Sequence, residues 1–446
     1  QKPIEYEQLL EVMLDSSKLL IANDFLKQER DKKLNELQEK HDYTSYQEDL
    51  AFQKELNILR NDFYYQMIDA QTTSLVDFLY QPLDVVSGDA YTARRIDEHK
   101  TFYLIVDGMG KGLSASLSAI IMTSFVNHII DKMIEYDSFS LNILVKESID
   151  YIKPILLEEE ALAVDYIVFD NIYNKLEYAK FAMPALLLED KEQNIVRLKS
   201  NNPPISKYQK DYQISEYDVT GLEKFLFYSN GVIENMTVYE NKTYAEFIED
   251  DFRSSFTKEE FKSKLFKKID KAEDDITLIF INRLNLQDTL VDKRTFDTSL
   301  ADIDLADEWY TNLWQNITQD GKTIFNAGVT FTELFMNAYE HGNLGIDAKT
   351  KHRLIEDDIY IDTLKAKEVG CSKKISVKVD KVTYESSSYI ITQIGDEGEG
   401  FDTQALSKIF RNSRTFNGRG VFVARNSSLG IYYNTKGTLV LYLNKI

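Results

Sequence analysis

The run Phe102-Tyr-Leu-Ile-Val106 is the feature that most restricts the fold of this chain. It has the length and the uninterrupted apolar character of a buried strand, and it ends at a charged residue, Asp107. A glycine-rich turn follows, and the small and apolar residues of 114–134 then predict a helix that packs against other elements. A buried strand that passes through a tight turn into a packed helix indicates a layered α/β (α+β) fold.

The chain has 446 residues, which is more than a single hydrophobic core normally serves, so two or three domains are expected. Hydrophobic residues make up 43% of the chain and aromatic residues 12%, which is enough to fill such cores. A disordered chain would be much poorer in both.

The net charge of −21 argues against nucleic acid as a partner, because a phosphate backbone attracts a positive surface. The basic cluster from Lys262 to Lys271 is followed by acidic residues, and it predicts a solvated helix face. The single cysteine, Cys371, excludes an intramolecular disulfide and is interpreted as structural. No signal peptide or membrane-spanning segment is visible, so we expect a cytoplasmic protein with no membrane partner.

Residues 1–68 are rich in charge and lack glycine, and their apolar residues recur at helical spacing. This pattern predicts a helical dimerisation and signalling segment, either a long helix pair or a coiled coil that joins two copies of the chain. The apolar positions are Leu10, Leu14, Leu19, Leu20, Leu26, Phe52, Leu56, Leu59 and Phe63.

The first residues, Gln1-Lys-Pro-Ile4 followed by Leu9-Leu10, resemble the last strand-to-helix turn of a response-regulator receiver domain, over about residues 1–15. The resemblance implies an upstream receiver domain in a longer protein, and a chain that does not begin with methionine agrees with it. An ordinary helix start with proline in its first turn is the alternative interpretation.

Strands and helices are predicted in two further segments, 69–285 and 300–446, which a polar stretch at 282–299 separates. The first segment has predicted strands at 102–106, 163–169, 176–181, 185–188, 225–228 and 276–281. The second has predicted helices at 304–320 and around Glu333 to Asn337, and predicted strands at 374–379, 389–394 and 438–443.

Three aspartates of the first segment, Asp89, Asp107 and Asp274, stand at strand ends or turns beside apolar runs. A carboxylate is unfavourable in such a place unless it is paired or binds a cation. Oxygen ligands from separate strands suit Mg²⁺ or Mn²⁺, and two such ions can activate a water that attacks a phosphoester. A single Asp-Gly pair is more often only a turn, so the wider context decides.

That context consists of four stretches in a fixed order: Val86-Ser-Gly-Asp-Ala-Tyr91, Asp107-Gly-Met-Gly-Lys-Gly112, Phe227-Tyr-Ser-Asn-Gly-Val232 and Asp274-Asp-Ile-Thr277. Over residues 69–285 they resemble the metal-dependent serine/threonine phosphatases of the PP2C type, and above all the bacterial branch that regulates sporulation and stress sigma factors. The resemblance implies an α/β/β/α sandwich with a site for two Mg²⁺ or Mn²⁺ ions. Asp89 would hold the first metal, Asp107 would bridge both as the catalytic carboxylate, the Gly108 carbonyl would assist, and Asp274 would hold the second.

Two positions depart from the family pattern. Asn230 stands where the family has an aspartate, and its uncharged amide oxygen would bind the second metal more weakly. The stretch Phe181-Ala-Met-Pro184 replaces the family's Ala-Gly-His-Pro-like turn, which we expect to alter substrate contacts more than metal binding.

Glu333 and Asn337 of the last segment lie four residues apart on a predicted helix, and therefore on one face. A carboxylate there can take a proton from an attacking hydroxyl, and an amide oxygen can coordinate Mg²⁺ on a triphosphate. A polar helix face is the ordinary interpretation of such a pair. The glycine-rich stretches that follow, Gly395-Asp-Glu-Gly-Glu-Gly400, Gly418-Arg-Gly-Val421 and Gly437-Thr-Leu-Val440, favour a nucleotide site instead.

Together these stretches resemble the GHKL ATPase family, with its two-layer α/β domain, and within it the anti-sigma-factor serine kinases. The resemblance covers residues 300–446 and implies ATP with Mg²⁺ as the cofactor. Glu333 would be the general base, Asn337 the Mg²⁺ ligand and Asp396 the residue that binds adenine. The remaining contacts would come from Gly398 and Gly400 in the ATP lid, from Gly418 and Gly420 near phosphate, and from Thr438 near adenine.

Two other nucleotide-related interpretations are weaker. The run Gly108-Met-Gly-Lys-Gly112 lacks the first spaced glycine and the Ser or Thr after lysine that a P-loop requires. A histidine kinase would place its phosphoacceptor histidine directly before the ATP domain, but here a phosphatase-like segment intervenes, and His41 is the one histidine of the helical region.

The two resemblances imply a bifunctional regulator that dephosphorylates and phosphorylates one substrate, a STAS-type anti-sigma-factor antagonist, in a partner-switching pathway. A sigma factor or an anti-sigma factor would be a further partner. Two alternatives remain open: a kinase with a weak or inactive phosphatase-like domain, which Asn230 favours, and an ATP-bound binding module that sequesters a sigma factor.

Overall fold

The computed structural model of the chain describes residues 50–51, 54–63, 73–83, 86–109, 113–403 and 427–446. It divides into two compact units, Gln1–Asn57 and Ile58–Ile446. The described part of the first unit, 50–51 and 54–57, is helical. The predicted coiled coil, the receiver-like start and His41 lie outside the described residues, apart from Leu56 and the positions that follow it.

The described strands of the second unit form three sheets. The strands are β1 Thr73–Gln81, β2 Asp89–Arg95, β3 Lys100–Met109, β4 Ala161–Asp170, β5 Lys175–Phe181, β6 Leu186–Asp190, β7 Ile195–Leu198, β8 Ile205–Ser206, β9 Ser215–Asp218, β10 Leu222–Tyr228, β11 Ile276–Leu284, β12 Leu290–Asp297, β13 Lys374–Tyr384, β14 Ser387–Gly395, β15 Gly430–Tyr433 and β16 Leu439–Lys445. The first sheet is six-stranded, with the order β2-β3-β4-β5-β9 and with β8 paired to β4. The second is five-stranded, with the order β1-β11-β10-β6-β7, and the third is five-stranded, with the order β12-β13-β14-β16-β15.

Helices cover the outer faces of these sheets. They are α1 Leu113–Glu135, α2 Leu141–Ile152, α3 Asn230–Glu234, α4 Ile248–Arg253, α5 Lys258–Lys268, α6 Leu300–Ile317, α7 Gly321–Asn337, α8 Ala348–Glu356 and α9 Tyr360–Glu368. A 3₁₀ turn covers Tyr244–Glu246, and a π-helical turn, Ala338–Asn343, extends α7.

The first two sheets stack face to face, and we call this pair with its helices the sandwich (residues 73–284). Aromatic side chains join the sheets: the rings of Phe169 in β4 and Phe225 in β10 lie 4.9 Å apart, and those of Tyr103 in β3 and Phe227 in β10 lie 5.9 Å apart. Such alternating inward residues explain why both sheets are necessary to bury these strands. The mixed α/β architecture predicted for this segment is confirmed.

Helices lie on both outer faces of the sandwich. On the first sheet, Thr92 donates a hydrogen bond to Asn127 of α1 at 2.7 Å, and Arg94 pairs with Asp131 of the same helix at 2.6 Å. On the second sheet, Phe252 of α4 packs on Phe280 of β11 with ring centroids 5.7 Å apart. In the described part of the chain, α1 is the one helix with the length and hydropathy of a membrane span, and 50% of its apolar window is buried within the protein.

The chain leaves the helical conformation earlier than the apolar spacing predicts. Residues 54–58 are helical, but Leu59 and Phe63 belong to an irregular segment, and both are buried. The Asn61 side chain accepts the Phe63 N–H at 2.9 Å, and Asn61 pairs with Ala93 at the edge of β2. Such an asparagine turn competes with helix continuation, so this part of the predicted 1–68 segment packs on the sandwich instead.

The third sheet and helices α6 to α9 form a second layered structure, which we call the C-terminal layer (residues 290–403 and 427–446). Its core is aromatic: the rings of Tyr310 in α6 and Phe331 in α7 stack at 4.1 Å, and Trp314 is fully buried beside them. The polar stretch at 282–299 contains a strand that was not predicted: β12 occupies Leu290–Asp297 and pairs with β13. Most residues of this edge strand are exposed, and the strand is therefore polar. A strand without an apolar run is not recognised from the sequence.

The face of the third sheet that points away from α6 and α7 packs on the sandwich. Phe256, between α4 and α5, lies 4.4 Å from the ring of Tyr389 in β14. Next to it, the buried ammonium of Lys224 contacts the buried carboxylate of Glu189 at 3.1 Å, and the Tyr384 hydroxyl of β13 donates to the same carboxylate at 2.5 Å. We call this set of contacts the junction.

Candidate functional site

Asp89 and Asp107 face each other at one end of the first sheet. Asp89 begins β2 and Asp107 lies near the end of β3, and the antiparallel register makes the two residues direct partners. Only 2% of Asp89 and 7% of Asp107 is exposed. Side chains opposite each other on one face of an antiparallel pair lie close together, so the structure brings two carboxylates into a single buried place.

Ser229 fixes the orientation of one of these carboxylates. Its hydroxyl donates to Asp89 Oδ2 at 2.6 Å and accepts the backbone N–H of Thr277 at 3.2 Å. Ser229 and Thr277 lie on neighbouring strands, β10 and β11, or directly beside them, so the second sheet supports a residue of the first. The motif that contains Ser229 was noted in the sequence, but this role was not predicted, since serine is common in turns.

Burial and repulsion raise the pKa values of both carboxyl groups. The pKa of Asp107 is raised to about 7 by burial and then by the nearby Asp274 carboxylate, while the backbone N–H of Asn230 opposes the shift. Burial, followed by the charge of Asp107, raises the pKa of Asp89 well above its usual range. The Oδ2 atom of Asp107 is buried without a hydrogen-bond partner. A divalent cation would compensate the buried charge, reduce the repulsion between the carboxylates and provide a partner for the free oxygen.

The other predicted metal residues lie around this pair. The Gly108 N–H donates to the Gly88 carbonyl at 3.0 Å, and a Cβ atom at Gly108 would lie 2.7 Å from the Ala115 carbonyl, so only glycine lets β3 approach α1 here. Asp274 lies beside Gly231, whose Cβ atom, if present, would be 3.2 Å from that of Asp274. Asn230 approaches Asp107 through its backbone N–H.

In the described part of the chain, no three His, Cys, Asp or Glu side chains converge closely enough to hold a metal ion by themselves. Magnesium usually retains several waters and binds through only one or two carboxylates, so a close carboxylate pair with an unpartnered oxygen fits such an ion. Asp89 and Asp107 therefore form the centre of the candidate site, with Gly108 and Asp274 at its edge. Gly110, Lys111 and Gly112 lie outside the described residues.

A second candidate site lies in the C-terminal layer. Glu333 and Asn337 occupy one face at the end of α7, where the Asn337 amide donates to Glu333 Oε1 at 3.4 Å. Asp396 directly follows β14, and its pKa is raised to about 6, mainly by burial, although the Gly398 N–H donates to its carboxylate at 2.9 Å. The Asp396 N–H donates to the Thr438 carbonyl at 2.9 Å, so the structure brings Asp396, Gly398 and Thr438 together.

Glycines shape the backbone around Asp396. A Cβ atom at Gly398 would lie 2.2 Å from the Gly342 carbonyl, and one at Gly342 would lie 2.4 Å from Asp396 Cγ. Gly400 has φ of +81° and fits against the Lys436 carbonyl. These glycines let the backbone segments around Asp396 pack closely on one another. The predicted phosphate residues Gly418 and Gly420 lie outside the described residues.

Tyr433 connects the two parts of this second site. It is nearly fully buried in β15, and its pKa is raised by burial and then by the charges of Glu333 and Asp396. Neither Tyr433 nor Gly342 was predicted as a site residue. A tyrosine in an apolar strand carries no sequence signal that distinguishes it from an ordinary core residue.

Comparison with known proteins classifies the sandwich. Residues 97–284 match the family model described as "Stage II sporulation protein E (SpoIIE)". A curated relative, phosphoserine phosphatase RsbP of Bacillus subtilis, is 24% identical over 164 residues, which are 36% of this chain and 40% of the relative. The chain thus aligns with less than half of that protein. The family match begins after Asp89 and includes Asp107, Asn230 and Asp274.

Two solved structures align with the chain at low similarity. The SiaA-PP2C domain of Pseudomonas aeruginosa aligns with 55% of this chain and 98% of its own length, at 19% identity and a TM-score of 0.44. The RsbU and RsbW domains of Rv1364c from Mycobacterium tuberculosis align with 83% of this chain and 94% of their own length, at 13% identity and a TM-score of 0.43. With such low scores these alignments carry no argument, and the family match classifies residues 97–284 alone.

The chain therefore contains a SpoIIE-type, PP2C-like phosphatase domain within the sandwich. The GHKL resemblance of residues 300–446 stays a prediction, as do the roles of the individual site residues.

Proposed function

We propose that this protein is a metal-dependent phosphatase that removes phosphate from serine or threonine of a protein substrate. The observation that carries the proposal is the buried Asp89 and Asp107 pair, with its unpartnered oxygen, in a SpoIIE-type domain. A structural role for two facing buried carboxylates would be unfavourable without a cation between them.

Asp89 and Asp107, with the Gly108 carbonyl and Asp274, would hold Mg²⁺ or Mn²⁺. When bound, the ions supply an activated water and neutralise the charge that develops on the phosphoryl group. The protein fixes the positions of both carboxylates. The Ser229 hydroxyl donates a hydrogen bond to Asp89, and the Asn230 backbone N–H donates one to Asp107. The register of β2 and β3 sets the spacing between the two side chains. Burial of both side chains removes bulk water and strengthens their interaction with a cation.

Asn230 lowers the expected affinity for the second metal, because an amide oxygen carries no charge. We expect the enzyme to need more Mn²⁺ or Mg²⁺ than a relative with an aspartate there. Replacing Asn230 by aspartate should therefore lower the metal concentration at half-maximal activity, without a change in the metal-saturated rate.

The proposed substrate is a small STAS-type anti-sigma-factor antagonist in a cytoplasmic partner-switching pathway, with a sigma or anti-sigma factor as a further partner. The similarity to phosphoserine phosphatase RsbP supports phosphoserine as the group that is hydrolysed. An added phosphate in an apolar protein interface carries a strong desolvation penalty, so its removal can decide which partner binds.

A second proposed activity, ATP-dependent phosphorylation of the same substrate, rests on the C-terminal layer. Glu333 and Asn337 share one helix face, and the charges of both Glu333 and Asp396 raise the pKa of Tyr433, which supports a common site for the three predicted residues. Glu333 would remove the proton of the substrate hydroxyl, Asn337 would hold Mg²⁺, and Asp396 would accept a hydrogen bond from adenine. An inactive phosphatase-like domain beside such a kinase, or an ATP-bound module that sequesters a sigma factor, remains the alternative.

One set of assays tests these proposals. The protein is incubated with a phosphorylated STAS protein and Mn²⁺ without ATP, and then with the unphosphorylated substrate, ATP and Mg²⁺. We expect phosphate release in the first reaction and its loss, by a factor of at least about 10³, in Asp107→Ala. Glu333→Ala should stop phosphorylation while ATP binding, measured by calorimetry, remains.

Each alternative predicts a different result. Phosphorylation without any release would leave the kinase alone, and the absence of both reactions would leave the binding module. Release that persists in Asp107→Ala would show that the metal assignment is wrong.

A further inference from the structure

We propose that Asp275 is a positioning residue that holds the metal-binding loops in register without binding the metal itself; this inference rests on the proposed phosphatase function. Asp275 follows the predicted ligand Asp274 in the chain. Its Oδ1 accepts the Leu83 N–H at 2.6 Å, and its Oδ2 accepts the Gly88 N–H, also at 2.6 Å. The Asp275 side chain thus binds the backbone of Leu83 and Gly88, which lie 192 and 187 residues earlier in the chain.

The contact with Gly88 affects the positions of both Asp89 and Asp107. Gly88 is the residue directly before Asp89, and its carbonyl accepts the N–H of Gly108, the residue directly after Asp107. Asp275 therefore holds the peptide that begins β2, and through it the end of β3. The spacing between Asp89 and Asp107 depends on these two strand ends.

The backbone of Asp275 holds the remaining two loops. Its N–H donates to Asp274 Oδ1 at 2.9 Å, which orients the neighbouring carboxylate. Its carbonyl packs so tightly on Gly231 that a Cβ atom there would lie only 2.0 Å away. The loop that carries Asn230 is therefore fixed against the same residue, so Asp275 contacts the motifs of Asp89 and Asn230 directly and that of Asp107 through Gly88.

The hydrogen bonds of Asp275 distinguish it from the predicted metal ligand Asp107. Both of its oxygens accept backbone N–H groups, whereas Asp107 keeps a buried oxygen without a partner. Its negative charge also acts unfavourably on Asp89 and Asp107. A carboxylate is nevertheless suited to this place, because charge-assisted hydrogen bonds to two amides are stronger and shorter than neutral ones.

The test uses Asp275→Ala and Asp275→Asn, and asparagine keeps one acceptor oxygen. The hydrolysis of p-nitrophenyl phosphate is measured against Mn²⁺ concentration, and Mn²⁺ binding is measured separately by calorimetry. The control is Asp97→Asn, because Asp97 also accepts two backbone N–H groups, from His99 and Lys100 at 2.7 Å each, but in the turn at the far end of β2 and β3. Exchange of the Gly88 amide proton reports the contact itself.

We expect Mn²⁺ affinity to fall about 10- to 100-fold in Asp275→Ala, as for other residues that support metal ligands, with a smaller loss in Asp275→Asn. The rate at saturating Mn²⁺ should stay within about threefold of wild type, and the Gly88 amide should exchange faster in both variants. The Asp97→Asn control should behave as wild type. If Asp275→Ala does not fold, Asp275→Asn carries the test.

Two results would overturn the inference. Unchanged Mn²⁺ affinity would remove Asp275 from the site, and loss of activity at every Mn²⁺ concentration would make it a ligand or a catalytic group. A wild-type protein that binds Mn²⁺ but hydrolyses nothing would contradict the proposed function instead, and the binding and exchange measurements would still decide the role of Asp275.

Discussion

Burial of Asp396 opposes the role proposed for it in the nucleotide site. Burial raises its pKa to about 6, but an ionised carboxylate accepts the hydrogen bond of the adenine amino group more strongly than the neutral carboxyl does. Protonation therefore weakens nucleotide binding. Nucleotide affinity should be constant above about pH 7 and should fall, by up to about tenfold for each pH unit, below pH 6.

Calorimetric titration with ADP and Mg²⁺ at pH 5.0 and 7.5 checks this expectation. Asp396→Asn serves as the comparison, since it cannot ionise, and it should bind weakly at both pH values. Equal affinity of the wild-type protein at the two pH values would show that Asp396 does not contact adenine.

Individual residues differ in how far the sequence predicts them. Asp89 and Asp107 were predicted because each follows or begins a buried strand inside a recognisable motif, and the structure makes them partners. Ser229 and Asp275 lie in the same motifs, but their importance depends on contacts with residues far away in the chain. Such contacts exist only after the two sheets have stacked, so local spacing does not reveal them.

At the level of elements, two glycines give opposite predictions. Gly231 lies in α3, where a Cβ atom would collide with the backbone of Asp275, whereas nothing lies within 4 Å of a Cβ atom at Gly328 in α7. Gly231→Ala should lower the free energy of unfolding by about 1–3 kcal/mol, because a buried backbone must move. Gly328→Ala should raise it by about 0.5–1 kcal/mol, because glycine is a poor helix former.

Chemical denaturation of the two variants and of the wild type measures both changes. Mn²⁺ affinity provides a second readout, since only Gly231→Ala displaces the loop that carries Asp274. A Gly231→Ala protein as stable as wild type would mean that the packing between α3 and β11 is loose, and it would weaken the case for a rigid metal site.

Elements with continuous apolar runs were predicted well. The predicted strands at 102–106, 163–169 and 276–281 lie inside β3, β4 and β11, and the predicted helix at 114–134 lies inside α1. Strand β12 was not predicted because an exposed edge strand lacks apolar character. The end of the first helix was misplaced because Leu59 and Phe63 continue the helical spacing although they bury against the sandwich.

At the level of the whole molecule, the third sheet is covered on both faces. Val440 and Tyr442 of β16 belong to the core with α6 and α7, and Leu441 and Leu443 belong to the cluster at the junction with Phe256. The sequence contained this signal, because strands buried on both faces are apolar without alternation. The partner of the second face was not predictable, since nothing in a strand sequence identifies what covers it.

Tyr384, at the end of β13, contacts several sandwich residues at the junction. Its ring lies 4.6 Å from the Lys224 ammonium and 5.3 Å from Phe256, and its hydroxyl donates to Glu189. Lys224 has a pKa lowered to about 8, mainly by burial, so its charge depends on these partners. Removing the ring would leave a buried ion pair partly exposed to water and a gap between two apolar surfaces.

We therefore expect Tyr384→Ala to lower the free energy of unfolding by about 2–4 kcal/mol and to separate the unfolding of the sandwich from that of the C-terminal layer. Scanning calorimetry should show one transition in the wild type and two in the variant, because a weakened interface no longer makes the two parts unfold together. Tyr173→Ala is the control, since Tyr173 is 76% exposed and away from the junction. A single, unshifted transition in Tyr384→Ala would mean that the apolar contacts of Phe256 and Tyr389 hold the two parts together without it.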